Sequence, residues 1–588
     1  MRNLIMASAS ALALMGAATG AAAQTAPTVP PGTQPSQELR QNGNNNRAVV
    51  NQGGTASSLK AASTLTQTGN ANNALINQTV NSSTGNAGVT SNVTQNGGLN
   101  LAIVNQTAAG TVANSSVTIN QFSSSAAANA TPLGIPPNLN ADPDPLLRSP
   151  APKGTAASPS TGNTSEGNRA FARQSGGANN SITINQGEET ARKDGNYAYV
   201  QQLGGGGNQS QVNQYATDGF AYSRQNGSDN VSTITQRDSL SSPGDDPSAV
   251  VSQTGVGNTS TVEQTNATGD KGFLTATVTQ VDGAWSSITQ RTNVPPSPVA
   301  DRFAASNFEA TVVQRGSSTN ESTILQTEAT RNPPTGATKD LSATVTQNGS
   351  ELKSEVYQSG WSATAIINQS GDNQKVVVNQ NLNEDLEETN FGFGRVTVTQ
   401  RRNDNEATIT QRGITSRIVV NQLGVGGTVF YDQTVESNRA QGTINQTSNS
   451  TNGYVDVRQT GVLFPRNVQF GPITINDPIT GLRVAKNGVD VTQSANSNTA
   501  IVDQAGVNNY SDLIQSGDVT YIKIEQDGTD NQARVTQSGD NTTSLINQLL
   551  NTSQGNQVTV NQATNNAWSS VTQSGSNHIA NVTQGPAR

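Results

Sequence analysis

The sequence predicts an all-β fold, a β-solenoid or cross-β stack of about eleven-residue strand-turn units with two strands to a rung. Three observations carry that expectation. Glutamine recurs at a fixed step, as in Gln493, Gln504, Gln515, Gln526, Gln537 and Gln548, each eleven residues after the last. Between glutamines the chain alternates apolar and polar residues, the period of a half-buried strand. Val, Ile, Leu and Phe together make up only about a fifth of the chain, too little for a conventional globular core. The charged fraction is 13% and the net charge is −8 over 588 residues, so charge-driven disorder is not indicated and nucleic acid is a disfavoured partner. Order has to come from repetition.

The chain opens with Arg2, an apolar run from Leu4 to Ala18 and the small residues Ala21, Ala22 and Ala23. This is the pattern of a signal peptide over 1–23, and no later segment is apolar enough to span a membrane. There is no cysteine, so neither a disulfide framework nor thiol chemistry is available. Residues 24–40 read as a disordered tail, and 41–121 as the first block of repeats. A Pro/Ala/Ser-rich linker or long excursion follows over 122–173, where prolines such as Pro136, Pro137, Pro143 and Pro145 remove ladder donors. Repeats with loop insertions occupy 174–459. An insertion over 460–488 has enough apolar residues (Phe464, Phe470, Ile473, Ile475) to form a small hairpin, and regular repeats fill 489–584 before a tail at 585–588.

Counting each glutamine as position zero, the fullest copies carry Gly at two, Asn at five, a small residue at seven, Val or Ile at nine and Gln at eleven. Positions seven, nine and eleven share a parity and face inward, while eight and ten face outward. The glycines Gly43, Gly69 and Gly255 suit a positive φ in the turn, and Asn46, Asn72 and Asn258 are expected to take a left-handed conformation there. A buried primary amide needs partners, and a column of identical amides one rung apart satisfies each from its neighbours. The glutamines assigned to such ladders are Gln347, Gln358, Gln369, Gln380, Gln400, Gln411, Gln422 and Gln433, then the six from Gln493 to Gln548 (Gln493, Gln504, Gln515, Gln526, Gln537, Gln548), then Gln562, Gln573 and Gln584. With two units per rung, alternate glutamines form separate columns, so that Gln515 stacks on Gln537. The steps from Gln280 to Gln290 and from Gln446 to Gln459, ten and thirteen residues, are departures from the period.

The run Gln41-Asn-Gly43-Asn-Asn-Asn46-Arg-Ala48-Val-Val-Asn-Gln52 resembles the repeat of curlin, the subunit of bacterial curli fibres. The resemblance extends in weaker form from about Gln41 to Gln584. It implies a secreted, self-assembling structural subunit of extracellular amyloid fibres with roles in adhesion and biofilm matrix. It implies further copies of the chain as the main partner, a nucleator subunit and outer-membrane secretion machinery as others, and recognition by that machinery at the N-terminal tail. The alternative is a monomeric β-solenoid surface adhesin or ligand-binding protein. No polar capping repeat is visible at the C-terminus, where the repeat runs to Gln584, which favours polymerisation.

Nothing points to an enzyme, a cofactor or a metal. Carboxylates sit at no fixed repeat position, and His578, the single histidine, reads as a turn residue. The acidic stretch Glu384, Asp385, Glu387 and Glu388 reads as a solvated loop. Trp285, Trp361 and Trp568 fall near turns, as caps of the stack or ligand contacts. Outward threonine pairs such as Thr397 and Thr399 are good exposed strand residues first and an ice-binding face second. The charges Asp518, Asp527, Asp530, Asp540 and Lys523 fall in or next to turns, serving solubility or slowing premature assembly.

Overall fold

The computed structural model describes residues 36–54, 60–81, 88–109, 114–123, 167–187, 195–238, 247–266, 273–292, 306–316, 319–360, 362–381, 393–412, 416–434, 440–460, 487–549 and 554–585, apart from 317–318 and 329–338. Contacts divide the chain into two units, Met1–Gly283 and Ala284–Arg588. Among the described residues the first unit holds sixteen strands, from Ser36–Asn42 to Phe273–Val281, and the second twenty-two, from Trp285–Arg291 to Ile579–Gln584. No helix occurs among them.

Strands pair with the next strand but one, always parallel. Ser36–Asn42, Lys60–Thr68 and Gly88–Asn96 lie side by side in one sheet, and Arg47–Gly54, Asn73–Asn81 and Leu101–Ala109 in the other. The second unit repeats the scheme, as in Thr499–Val507, Tyr521–Thr529 and Thr543–Gln548 against Tyr510–Gln515, Gln532–Gln537 and Gln557–Gln562. Two strands and their turns therefore make one rung, and each unit is a β-solenoid of stacked rungs. The core lies between the two sheets. Along Tyr521–Thr529, for example, Ile522, Ile524 and Gln526 are buried while Tyr521, Lys523 and Glu525 are half-exposed. A single rung buries too little apolar surface to be stable, so stability is a sum over neighbouring rungs.

Glutamine always meets glutamine across rungs, whatever the chain does in between. Gln106 lies opposite Gln174 and Gln121 opposite Gln186, on either side of the expected 122–173 linker. The strands on either side of that segment therefore pair in register with each other. The boundaries of the segment also move, since Phe122 ends one strand and residues 169–173 belong to the strand Arg169–Ser175. Closing a longer loop adds little cost once the flanking rungs can pair. The expected tail at 24–40 loses residues 36–40 to the strand Ser36–Asn42, where Leu39 stacks on Leu65. Likewise Thr460 closes one strand and Gly488 opens the next, at the edges of the expected 460–488 insertion. The hairpin expected from Phe464 to Ile475, the signal peptide, Trp361 and the Glu384–Glu388 stretch lie outside the described residues.

The irregular steps leave the register intact. Gln446 pairs with Gln422 and Gln493, and Gln459 with Gln433 and Gln504, so the extra residues of the thirteen-residue step sit in the turn. Gln280 lies opposite Gln253, and Gln290 opposite Gln326.

Candidate functional site: the stacked amide columns

The turns position the amides. Gly69 has φ +100°, and a Cβ there would fall on the carbonyl oxygen of Gly97 in the next rung, so glycine at position two serves both the left-handed backbone and the close stacking of turns. Gly43 and Gly255 also have positive φ. The non-glycine left-handed residue is the one at position four: Asn45, Ala71, Asn508, Asp530 and Asn541 have φ between +55° and +59°. The expectation for Asn46, Asn72 and Asn258 at position five is thus corrected. These residues are not left-handed; they enter the strand, and their side chains turn inward beneath the turn.

There they build a column of their own. Asn46 Nδ2 donates to Asn42 O at 3.1 Å and Gly69 O at 2.8 Å, closing its own turn and bonding the next. Its Oδ1 accepts from the Asn72 backbone N–H at 3.0 Å. Asn72 Nδ2 donates to Gly97 O at 3.0 Å, and Asn258 Nδ2 donates to Asn230 Oδ1 at 2.8 Å. Asn72 and Asn258 are fully buried. Thr520 holds the same position in another rung: it is buried, and its hydroxyl donates to Asn498 Oδ1 at 2.8 Å, so it is not the exposed strand residue that simple alternation implies. His578 also stands at position five, its backbone N–H donating to Asn556 Oδ1 at 2.9 Å.

The glutamines form two columns in each unit. In the first unit Gln41, Gln67, Gln95, Gln121, Gln186, Gln214, Gln236 and Gln264 each donate Nε2 to the next Oε1 over 2.6–2.9 Å. Gln52, Gln78, Gln106, Gln174, Gln202, Gln225, Gln253 and Gln280 do the same over 2.7–3.0 Å. In the second unit one column runs Gln314, Gln347, Gln369, Gln400, Gln422, Gln446, Gln493, Gln515, Gln537, Gln562, Gln584 over 2.7–3.3 Å. The other links Gln290, Gln326, Gln358, Gln380 and Gln411 over 2.7–2.9 Å, and then Gln459, Gln504, Gln526, Gln548 and Gln573 over 2.8–3.0 Å. Gln433 lies between these two runs in register but outside the bonding.

Interior amides bonded within the columns, such as Gln526, also reach the opposite sheet. Gln526 Nε2 donates to Tyr510 O at 3.2 Å, and its Oε1 accepts from Ser511 Oγ at 2.8 Å. Serine at position seven recurs in this role, as Ser91 to Gln106 and Ser544 to Gln562. A net gain of about 1 kcal/mol per bond matters less than the penalty of about 1–3 kcal/mol avoided for each buried amide that keeps its partners. Sequence reasoning found the glutamines by their period. It took the small residue at seven as a matter of size and so missed the serine donors.

Charges line the surface of the stack. The Asp518 carboxylate accepts from the Asn496 N–H at 2.9 Å and the Asp540 carboxylate from the Asp518 N–H at 3.0 Å, a turn-to-turn column. Lys523 lies within a strand rather than by a turn, paired with Glu525 at 2.5 Å. Burial, with Asp432 one rung away, raises the Asp456 carboxyl above the ordinary aspartate range, and burial raises Asp503. Trp285 and Trp568 begin strands and are exposed. No group of three or more His, Cys, Asp or Glu suited to a metal occurs among the described residues.

The outermost described rungs are incompletely covered. Ala580, Val582 and Gln584 in the last described rung of the second unit, and Leu39, Gln41, Val50 and Gln52 in the first described rung of the first unit, are half-exposed although they carry the inward parity. In that rung of the second unit Gln573 Nε2 donates to Gln557 O and Gln584 Nε2 to Trp568 O, where an interior amide such as Gln526 also donates to the next glutamine.

Parallel stacking, a two-strand rung and stacked amide columns define a β-solenoid repeat protein of the amide-ladder type. Residues 486–517 and 521–549 match the curlin associated repeat, so this block of the chain is built of curlin repeats. No curated protein and no solved structure matches the chain.

Proposed function

We propose that this chain is a structural, non-enzymatic subunit of extracellular curli-like amyloid fibres, exported and then polymerised by stacking further copies on its outer rungs. The observation that carries this reading is the one-way amide column in a block of curlin repeats: from Gln493 to Gln548 every column glutamine both donates and accepts, and the outermost rungs retain donors and half-exposed inward side chains. A second copy meets those needs in register, with Ala48, Val50 and Gln52 over Ala580, Val582 and Gln584, and Gln41 over Gln573. A nucleator subunit and outer-membrane secretion machinery are the further partners of this proposal, and adhesion and biofilm matrix its setting.

Two measurements test it. Diluted from denaturant, the full chain is expected to form fibres after a lag, with a cross-β spacing of about 4.8 Å, and seeds shorten the lag. Because the chain lacks cysteine, the variant Asn51→Cys with Thr583→Cys is expected to form disulfide-linked oligomers in the fibre, since Cα atoms stacked about 5 Å apart fit a disulfide. Val49→Cys with Thr583→Cys, two residues out of register, does not. A soluble monomer unchanged over days would instead identify a monomeric solenoid adhesin.

A further inference from the structure

One rung of the second unit departs from all the others described. At Thr428–Gln433 the inward position nine, occupied by Ile409 and Val457 in the rungs on either side, holds Tyr431, which is fully buried. Room for the ring comes from the facing sheet. Gly442 stands where the adjacent rungs carry Ile418 and Val489, and a Cβ built on Gly442 would fall 2.2 Å from Tyr431 Cε2, against the edge of the ring. The two substitutions are complementary, one large for one absent side chain.

The ring reaches far enough to disturb the amide column. Tyr431 Oη donates to Gln459 Oε1 at 2.5 Å, taking the acceptor that Gln433 would otherwise use. Gln433 is fully buried, and neither its Nε2 nor its Oε1 has a partner. The Nε2 of Gln411, one rung further, has none either, although Gln411 Oε1 still accepts from Gln380 at 2.7 Å. Buried polar atoms of Thr434, Thr447 and Ser450 in the adjoining turns are likewise unmatched. The column in the facing sheet runs through unbroken, Gln422 donating to Gln446 at 3.0 Å and Gln446 to Gln493 at 2.9 Å.

We propose that the Tyr431–Gly442 pair is a built-in stacking fault, at which the second unit opens locally while the columns on either side remain closed. This inference goes beyond the fibre reading and does not depend on it. An interior glutamine holds its rung by amide bonds to both neighbours, whereas the rung of Gln433 has no side-chain bond at that column towards Gln411 and only the Tyr431 hydroxyl bond towards Gln459. The open form exposes the edges of Glu406–Gln411 and Tyr454–Thr460, the two strands that flank the fault in its sheet. The fault thus separates a segment ending at Gln411 from the segment that contains the curlin repeats.

Hydrogen exchange on the full chain, read by mass spectrometry, tests it. Amides of Thr428–Gln433 are expected to exchange at least about tenfold faster than those of Tyr521–Thr529, because local opening sets exchange. The double variant Tyr431→Val with Gly442→Ala restores ordinary residues to both columns and removes that difference. Gln433→Leu gives the sharper comparison. It replaces an amide that has no partner, so exchange at its rung is expected to slow or stay level, whereas Gln526→Leu speeds exchange at its own rung. Uniform exchange along the second unit of the wild-type chain, or faster exchange in Gln433→Leu to the same degree as in Gln526→Leu, would overturn the proposal.

Discussion

Replacing Gln526 by leucine probes the amide column where it is most regular. The side chain takes part in four bonds: Nε2 to Gln548 Oε1 at 2.8 Å and to Tyr510 O at 3.2 Å, and Oε1 from Gln504 Nε2 and Ser511 Oγ, both at 2.8 Å. Leucine keeps roughly the volume and none of the bonds. Gln504 Nε2 retains Gly488 O and Ser511 Oγ, each at 3.1 Å, so its loss is partial. Gln548 Oε1 loses its one donor from the column, and the Ser511 hydroxyl loses its acceptor. Two buried groups at about 1–3 kcal/mol each give a local destabilisation of about 2–6 kcal/mol. Thr536→Ser, on the outer face of the neighbouring strand, is expected to shift stability by about 0.5 kcal/mol or less. Hydrogen exchange at Tyr521–Thr529 reads the local effect, and the lag and yield of fibres read its consequence for assembly. Equal behaviour of the two variants would refute the argument that the amides hold the stack.

Val519 sits at the left-handed position four with φ +56°, an unfavourable place for a β-branched residue, and is exposed, so Val519→Asn is expected to raise stability by about 1 kcal/mol in denaturant titration. Asp456 and Asp503 have folded-state pKa values raised above the unfolded value, so the folded state binds their protons more tightly. Their contribution is fully present below the unfolded pKa and is lost as pH rises through the folded one, so stability gains on acidification towards about pH 4. Fibre lag should shorten over that window, and Asp456→Asn with Asp503→Asn should flatten the dependence. A peptide of residues 493–548 should form fibres faster than one of 280–347 in a dye-binding assay, since the first is built of consecutive rungs at the eleven-residue step and the second contains long excursions.

Much of the architecture was legible because the repeat is short and its chemistry is local. Strand parity, the two-unit rung and the separation of Gln515 and Gln537 from Gln526 all follow from an eleven-residue step, and the structure places them that way. Turn conformation was half legible. Glycine at two announces a positive φ, and the left-handed residue at four is most often Asn or Asp, as in Asn45, Asp218 and Asn508, but Ala71 and Val519 take the same place without that mark. Asparagine at five looked like a turn former because that is its commonest use, whereas here it is a buried partner of the turns above and below. Thr520, outward by simple alternation, is buried for a related reason, since alternation counted back from the strand does not tell where the strand begins.

By itself the sequence determined the period, the inward face and the chemistry of the columns, because a buried amide can be tolerated at every rung only if the same amide recurs one rung away. The tertiary structure decided what depends on residues distant in the chain. It returned Gln106 to Gln174 across a separation of 68 residues, stacked Tyr199 on Tyr222 with ring centres 5.4 Å apart on an outer face, and set Tyr431 against Gly442. In each case the partner is selected by stacking across rungs or packing across the core. Neither relation has a fixed spacing once excursions lengthen the chain between rungs, so no periodicity in the sequence could reveal it.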